Sequence, residues 1–185
     1  MGKLIYQIPS SLDGYVKDAD GSFDWSMPSD DMIAFLTDSM DGVSTYLYGR
    51  GMYEAMKIWG TDPDSVGTAP ELQRFARLWQ AADKVVYSTT LTMVETSRTL
   101  LKDHFDPGEV RQLKTEAPGD LTIEGPGLAA HALREGLVDE IQRLVSPVVV
   151  GGGTPVFPPA LRLGLDLAEV RGFSGGVVFL RYAVR

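Results

Sequence analysis

The chain of 185 residues contains no cysteine. That excludes disulfides, thiolate catalysis and cysteine-ligated metal, and two histidines, His104 and His131, are too few for a histidine-rich metal site. No apolar run approaches the roughly 20 residues of a membrane span. The first apolar stretch, Leu4 to Ile8, is broken by Pro9 too early to form a signal-peptide core. A cytoplasmic location is therefore expected, with no membrane among the partners. Positive charge is scarce as well: 17 Lys and Arg against 25 Asp and Glu give a net charge of -8, and no basic cluster is present to attract nucleic acid. An anionic ligand needs a local pocket, and chemistry must come from carboxylates, hydroxyls or a borrowed cofactor.

The rest of the composition is that of an ordinary globular protein, with 44% hydrophobic and 23% charged residues. Strand-like and helix-like segments alternate from end to end with no linker between them. This predicts a single α/β domain over residues 1–185, a sheet with helices packed on its faces. Strands are expected at Leu4–Ile8, Thr45–Tyr48, Lys84–Tyr87, Ser97–Leu101, Leu121–Glu124, Glu140–Val145, Val148–Val150, Leu167–Phe173 and Val177–Val184. Met32, Ile33, Leu36 and Met40 mark a helix with one buried face, with Ser29 as its N-cap. Further helices are expected at Met52–Ile58, Leu72–Trp79, Gly108–Leu113 and Leu128–Glu135, the last stopped by Gly136. Thr61–Pro70 reads as a loop and Ser174-Gly175-Gly176 as a hairpin turn.

Three strand ends carry small or phosphate-friendly residues: Gly49-Arg50-Gly51, Ser88-Thr89-Thr90 and Gly125-Pro126-Gly127. Ligands of open α/β sheets bind beyond the carboxyl ends of the strands, so all three can line one crevice. A helix N-terminus offers unpaired N–H groups and partial positive charge, glycine lets the backbone approach, and Arg50 adds a five-donor fork. A dinucleotide fits three such ends better than a single phosphate does.

The order of Ser11-Leu12-Asp13-Gly14-Tyr15, Asp24-Trp25, Tyr48-Gly49-Arg50, Val86-Tyr87-Ser88, Gly125, Gly136-Leu137-Val138-Asp139-Glu140, Pro147 and Val150-Gly151-Gly152-Gly153-Thr154-Pro155 resembles the dihydrofolate reductase superfamily. The similarity is greatest to the branch related to the reductase domain of riboflavin biosynthesis, and it covers essentially the whole chain. It implies a mixed, mostly parallel central sheet with helices on both faces and an antiparallel C-terminal strand. It also implies NADPH as hydride donor, a heterocyclic pterin- or pyrimidine-like substrate, and a homodimer, for which Val177–Val184 offers an apolar edge. By the same resemblance, Gly49 and Arg50 meet the 2'-phosphate side of NADPH together with Ser88 and Thr89. Gly125, Gly127 and Leu128 face the pyrophosphate, and Gln7, Ile8 and Val16 lie near the nicotinamide. Two positions depart from the pattern: Met52 stands where relatives often have a threonine, and Pro126 interrupts what is often Gly-Gly or Gly-Ser. These departures motivate a second reading, a non-catalytic nucleotide-binding or dimerisation domain that keeps the fold.

For substrate chemistry the resemblance points to Asp30 and Asp31, at the start of the first helix, as candidates to bind the heterocycle and deliver a proton. A partly buried carboxylate there would have a raised pKa. Acidic residues in a first helical turn also stabilise the helix through its dipole without any catalytic duty. Trp25 can stack on a flat substrate or fill the core. Asp13-Gly14 reads as a turn in a loop that folds over the nicotinamide.

Overall fold

In the computed structural model, which describes residues 1–185, ten strands and six helices alternate. They are β1 (Leu4–Ser11), β2 (Tyr15–Lys17), α1 (Asp30–Ser39), β3 (Val43–Gly49), α2 (Arg50–Met56), α3 (Ile58–Thr61), α4 (Pro70–Ala81), β4 (Asp83–Tyr87) and β5 (Thr99–Lys102). There follow α5 (Pro107–Glu116), β6 (Asp120–Glu124), α6 (Pro126–Arg134), β7 (Glu140–Ser146), β8 (Thr154–Pro155), β9 (Leu165–Gly172) and β10 (Val178–Val184). Eight strands form one sheet in the order β5-β4-β3-β6-β1-β7-β10-β9, and β2 pairs with β8 in a small second sheet. The strands from β5 to β7 run parallel, while β10 is antiparallel to both β7 and β9.

Side-chain alternation along the central strands divides the core between two faces. Leu4, Tyr6, Ile8, Leu121 and Ile123 point to one face and pack against Val110 of α5 and Ala129, Ala132 and Leu133 of α6. On the other face Tyr46, Tyr48 and Val86 pack with Tyr53 of α2 and Trp79 of α4. Farther along that same face Met32 of α1 covers Leu144 and Phe179. Each such fully buried large apolar side chain contributes roughly 2 kcal/mol. Trp79, fully buried, also donates its indole N–H to the Tyr48 hydroxyl at 3.1 Å, so the ring is held without an orphaned donor.

Several expectations need correction. Val148–Val150 is not a strand, because Pro147 ends β7 and the chain turns there into Gly151-Gly152-Gly153. Val177–Val184 is not an edge: β10 is bonded on both sides, and β9 and β5 are the outer strands. The C-terminal strand β10 is antiparallel as expected, while β9, antiparallel to β10, runs in the same direction as the parallel strands. Ser29 stands at the N-cap of α1, but its hydroxyl donates to Asp31 instead of capping a backbone N–H. The Thr61–Pro70 loop begins inside the short helix α3 and contains a 3-10 turn at Pro63–Ser65.

Candidate active site

The three phosphate-friendly strand ends meet at the carboxyl edge of the sheet. β3 and β6 are neighbours, so the turn at Gly49 adjoins the start of α6, and a Cβ on Gly49 would stand 3.9 Å from Leu128 Cβ. Gly125 adopts φ 94°, a left-handed conformation that favours glycine and turns the chain from β6 into the helix. Pro126 has no N–H and Ala129 donates to the Gly125 carbonyl at 3.0 Å, which leaves the amides of Gly127 and Leu128 as the free donors of that helix end. Arg50 is brought to the next strand end, where one of its terminal nitrogens donates to Thr90 Oγ1 at 2.9 Å while its Nε binds Glu54 at 2.8 Å. The Ser88 hydroxyl accepts from the amides of Thr90 and Leu91, shaping a tight turn, and Thr89 lies exposed beside it. Ser88, Thr89, Lys102 and His104 contribute to a pocket of about 480 Å³ at this end of the sheet. Glycines at the crook, free helix-end amides and Arg50 together fit a dinucleotide phosphate chain.

Between the patch covered by α2 and α4 and the patch covered by α1, β6 presents Glu124 at its carboxyl end and β1 presents Gln7 at mid-strand. Register places Tyr6 beside Ile123 and Tyr48 beside Glu124, so Glu124 and Gln7 are neighbours on this face. Thr122 Oγ1 lies 3.3 Å from Glu124 Oε1 as its one side-chain donor, and Tyr46 and Tyr48 stand alongside. Burial pushes the Glu124 carboxyl up to about 7, against the slight lowering effect of the Thr122 bond. The Tyr46 hydroxyl is buried there without a partner. Glu124 is the functional candidate that sequence reasoning missed, although a carboxylate ending an apolar strand just before Gly-Pro-Gly was its signal.

The structure separates the other predicted residues. Ile8, 3% exposed, belongs to the core on the opposite face, and Val16 of β2 packs against that core. Trp25 sits on a 3-10 turn, Asp24–Ser26, and forms a wall of a cleft of about 320 Å³ with Ser29, Ser146 and Ser174; its indole N–H is buried and has no acceptor. Asp30 is exposed at the start of α1. Asp31 accepts from the Ser174 amide at 2.9 Å and its hydroxyl at 3.0 Å, and also from the Ser29 hydroxyl. The expected raised pKa is contradicted at Asp31: the Ser29 and Ser174 donors pull its carboxyl down to about 2, so it is ionised throughout the working pH range. Its evident role is to tie the head of α1 to the β9–β10 turn.

The loop after β1 is fastened more firmly than a simple turn. Asp13 accepts from the amides of Val150 at 3.2 Å and Gly151 at 2.8 Å. Leu12 donates to the Val148 carbonyl and Val156 to the Gly14 carbonyl. A Cβ on Gly153 would lie 2.0 Å from the Lys17 carbonyl oxygen, so only glycine permits the close pairing of β2 with β8. These ties hold a strap over the carboxyl ends of β1 and β7.

Residues 2–179 match the family model described as the RibD C-terminal domain. The uncharacterized protein YyaP of Bacillus subtilis (strain 168) is 31% identical over 188 residues, which cover 97% of this chain and 94% of that protein. A putative riboflavin biosynthesis protein from Shewanella sp. PV-4 superposes with a TM-score of 0.76 at 22% identity, over 99% of each chain. Dihydrofolate reductase from Enterococcus faecalis, solved with NADP(H) and RAB-propyl, superposes with a TM-score of 0.62 at 12% identity, over 100% of this chain and 97% of that one. The two superpositions establish a dihydrofolate reductase-like fold, and the sequence match is more specific: the chain belongs to the RibD C-terminal domain family.

Proposed function

We propose that the protein is an NADPH-dependent reductase of a pterin-, pyrimidine- or related heterocyclic substrate, in which Glu124 supplies the proton. The observation that carries this reading is Glu124 itself, a carboxylic acid titrating at about 7 at the carboxyl edge of the sheet, beside the strand ends that fit a dinucleotide. When bound, NADPH supplies a hydride to the carbon of a conjugated C=N or C=O. Arg50 and the Ser88-Thr89 turn would hold its 2'-phosphate, and the Gly127 and Leu128 amides its pyrophosphate. Glu124, protonated below about 7, donates to the nitrogen or oxygen of the bond being reduced and is left as a carboxylate. Gln7, beside it, orients the polar edge of the heterocycle. The strap latched by Asp13 keeps water from the carboxyl ends of β1 and β7. A homodimer and a cytoplasmic location complete the proposal.

Replacing Glu124 tests it. Turnover should fall as pH rises through about 7, because the acid form is lost. Glu124→Gln should lower kcat by about 10²–10⁴-fold and abolish that pH limb. NADPH affinity should change by less than about twofold, since Glu124 donates to substrate rather than holding phosphate. An unchanged pH profile would remove Glu124 from the mechanism. A second reading, a nucleotide-binding or dimerisation domain without turnover, is favoured by the absence of side-chain caps on α2 and α6, where Met52 and Pro126 offer no hydroxyl. Binding of NADPH without its oxidation across dihydrofolate, pterins and riboflavin precursors would support that alternative.

A further inference from the structure

Strand β9 is bonded to β10 on one side and leaves its other edge open over 8 residues, against 4 in β5, the outer strand at the far side of the sheet. An open edge presents unpaired N–H and C=O groups, and folded proteins blunt long ones with proline or lysine, or cover them. Leu165–Gly172 contains neither residue and exposes Leu167 and Val170.

Its register with β10 fixes which side chains share a face. Leu167 is opposite Tyr182 and Val170 opposite Leu180, two residues apart on β10, so both point away from α1. Asp166 is opposite Ala183 and Arg171 opposite Phe179, so both point to the α1 side, where Phe179 packs with Met32. In a regular strand, residues three or five apart would lie on opposite faces. Ala168, left without a partner on β10, shifts the phase and brings each couple to one side, while the strand runs on unbroken.

That phase makes β9 complementary to itself. Set antiparallel to a second copy about a two-fold axis between Ala168 and Glu169, Leu167 meets Val170 of the second copy and Asp166 meets its Arg171. Each contact is made twice, with apolar against apolar on one face and opposite charges on the other. Arg171 has only aromatic neighbours for its charge, the Phe35 and Phe173 rings at 4.9 and 5.4 Å. Asp166 meets only the exposed Arg185, at 3.4 Å. Glu169, which the axis brings near its own copy, is already neutralised by Arg181 at 2.9 Å. From the open edge, the matched faces and the charge complementarity, we infer that β9 pairs antiparallel with β9 of a second copy in this register, joining the two eight-stranded sheets end to end. This pairing rests on the homodimer of the reductase reading and gives it a surface and a register.

Sedimentation equilibrium of the whole protein over a concentration series should show a monomer–dimer equilibrium. Asp166→Arg and Arg171→Asp each set like charges opposite one another at two symmetric positions and should weaken the dimer about tenfold. The double variant restores opposite charges and should recover most of that loss, with the fold of each variant checked by circular dichroism. Because the chain has no cysteine, the register can also be read directly. Leu167→Cys mixed with Val170→Cys should give more disulfide-linked dimer in mild oxidant than either variant alone, since opposite positions fall within disulfide reach and like positions do not. A monomer at every concentration, a dimer untouched by the single charge changes, no recovery in a folded double variant, or equal linking of the variants alone and mixed would overturn the inference. NADPH titrated into the native protein reports separately on the cofactor, so failure of the pairing and failure of the reductase reading are distinguishable.

Discussion

Glu124 and Asp31 belong to the same side of the sheet and titrate in opposite directions because one is short of donors and the other is crowded with them. Glu124 has Thr122 and otherwise tyrosine rings, and burial drives it up to about 7; Asp31 has two serine hydroxyls and two amides, and is held at about 2. Only the first can exchange a proton near neutral pH. The second contributes stability that is fully present above the ordinary carboxylate value of 3.8 and is lost as pH falls through about 2, so Asp31→Asn should leave an acid-unfolding curve less steep in that range. Arg50 makes its own prediction at this scale. Arg50→Ala should weaken NADPH binding about 10- to 100-fold, the range of a charge-assisted hydrogen bond, and leave NADH binding nearly unchanged. Equal losses for both cofactors would place Arg50 away from the 2'-phosphate. Arg50 was legible in the sequence because a strand running into Gly-Arg-Gly is local chemistry. Glu124 offered only its place ahead of Gly-Pro-Gly, since the burial that raises its pKa is a product of tertiary packing.

Among elements, the helix ends and straps show what a single sequence can and cannot reveal. The helix stripes of α1 and α4 and the strands β1, β3, β4 and β6 follow from hydrophobic period alone. The ties that shape the site join distant segments, Asp31 with Ser174 and Asp13 with Gly151, and neither carries a local signature. Gly125, at φ 94°, should tolerate alanine poorly: Gly125→Ala is expected to cost about 1 kcal/mol or more in denaturant unfolding and to disturb the α6 end that faces the pyrophosphate. Lys84, at the start of β4, is buried and donates to the Trp79 and Ala82 carbonyls at the end of α4, at 3.1 and 2.9 Å. Burial lowers its pKa to about 8 from 10.5. Between those values the unfolded chain binds the proton more readily than the folded one, so this group makes stability rise with pH across that window. Urea unfolding at pH 7.5 and 9.5 should show the rise in the native protein and its loss in Lys84→Met.

For the whole molecule, the sheet order decides which surfaces are available. The dimer expected through Val177–Val184 cannot form by edge pairing there, because β10 is an interior strand. β9 is the outer strand on that side and exposes Leu167 at 58% and Val170 at 61%. A homodimer formed along this edge should dissociate in Val170→Lys, read by light scattering, with the fold intact by circular dichroism. The same order sets β4, β3 and β6 side by side, so the three phosphate-friendly turns lie at neighbouring strand ends, the proposed cofactor crevice, while Trp25 and the turn before α1 border a separate cleft. The central claim is that this crevice holds NADPH, and calorimetric titration with NADPH and NADH is its most direct test. The account predicts a micromolar dissociation constant for NADPH and binding at least about tenfold weaker for NADH; absence of NADPH binding in that range would contradict it.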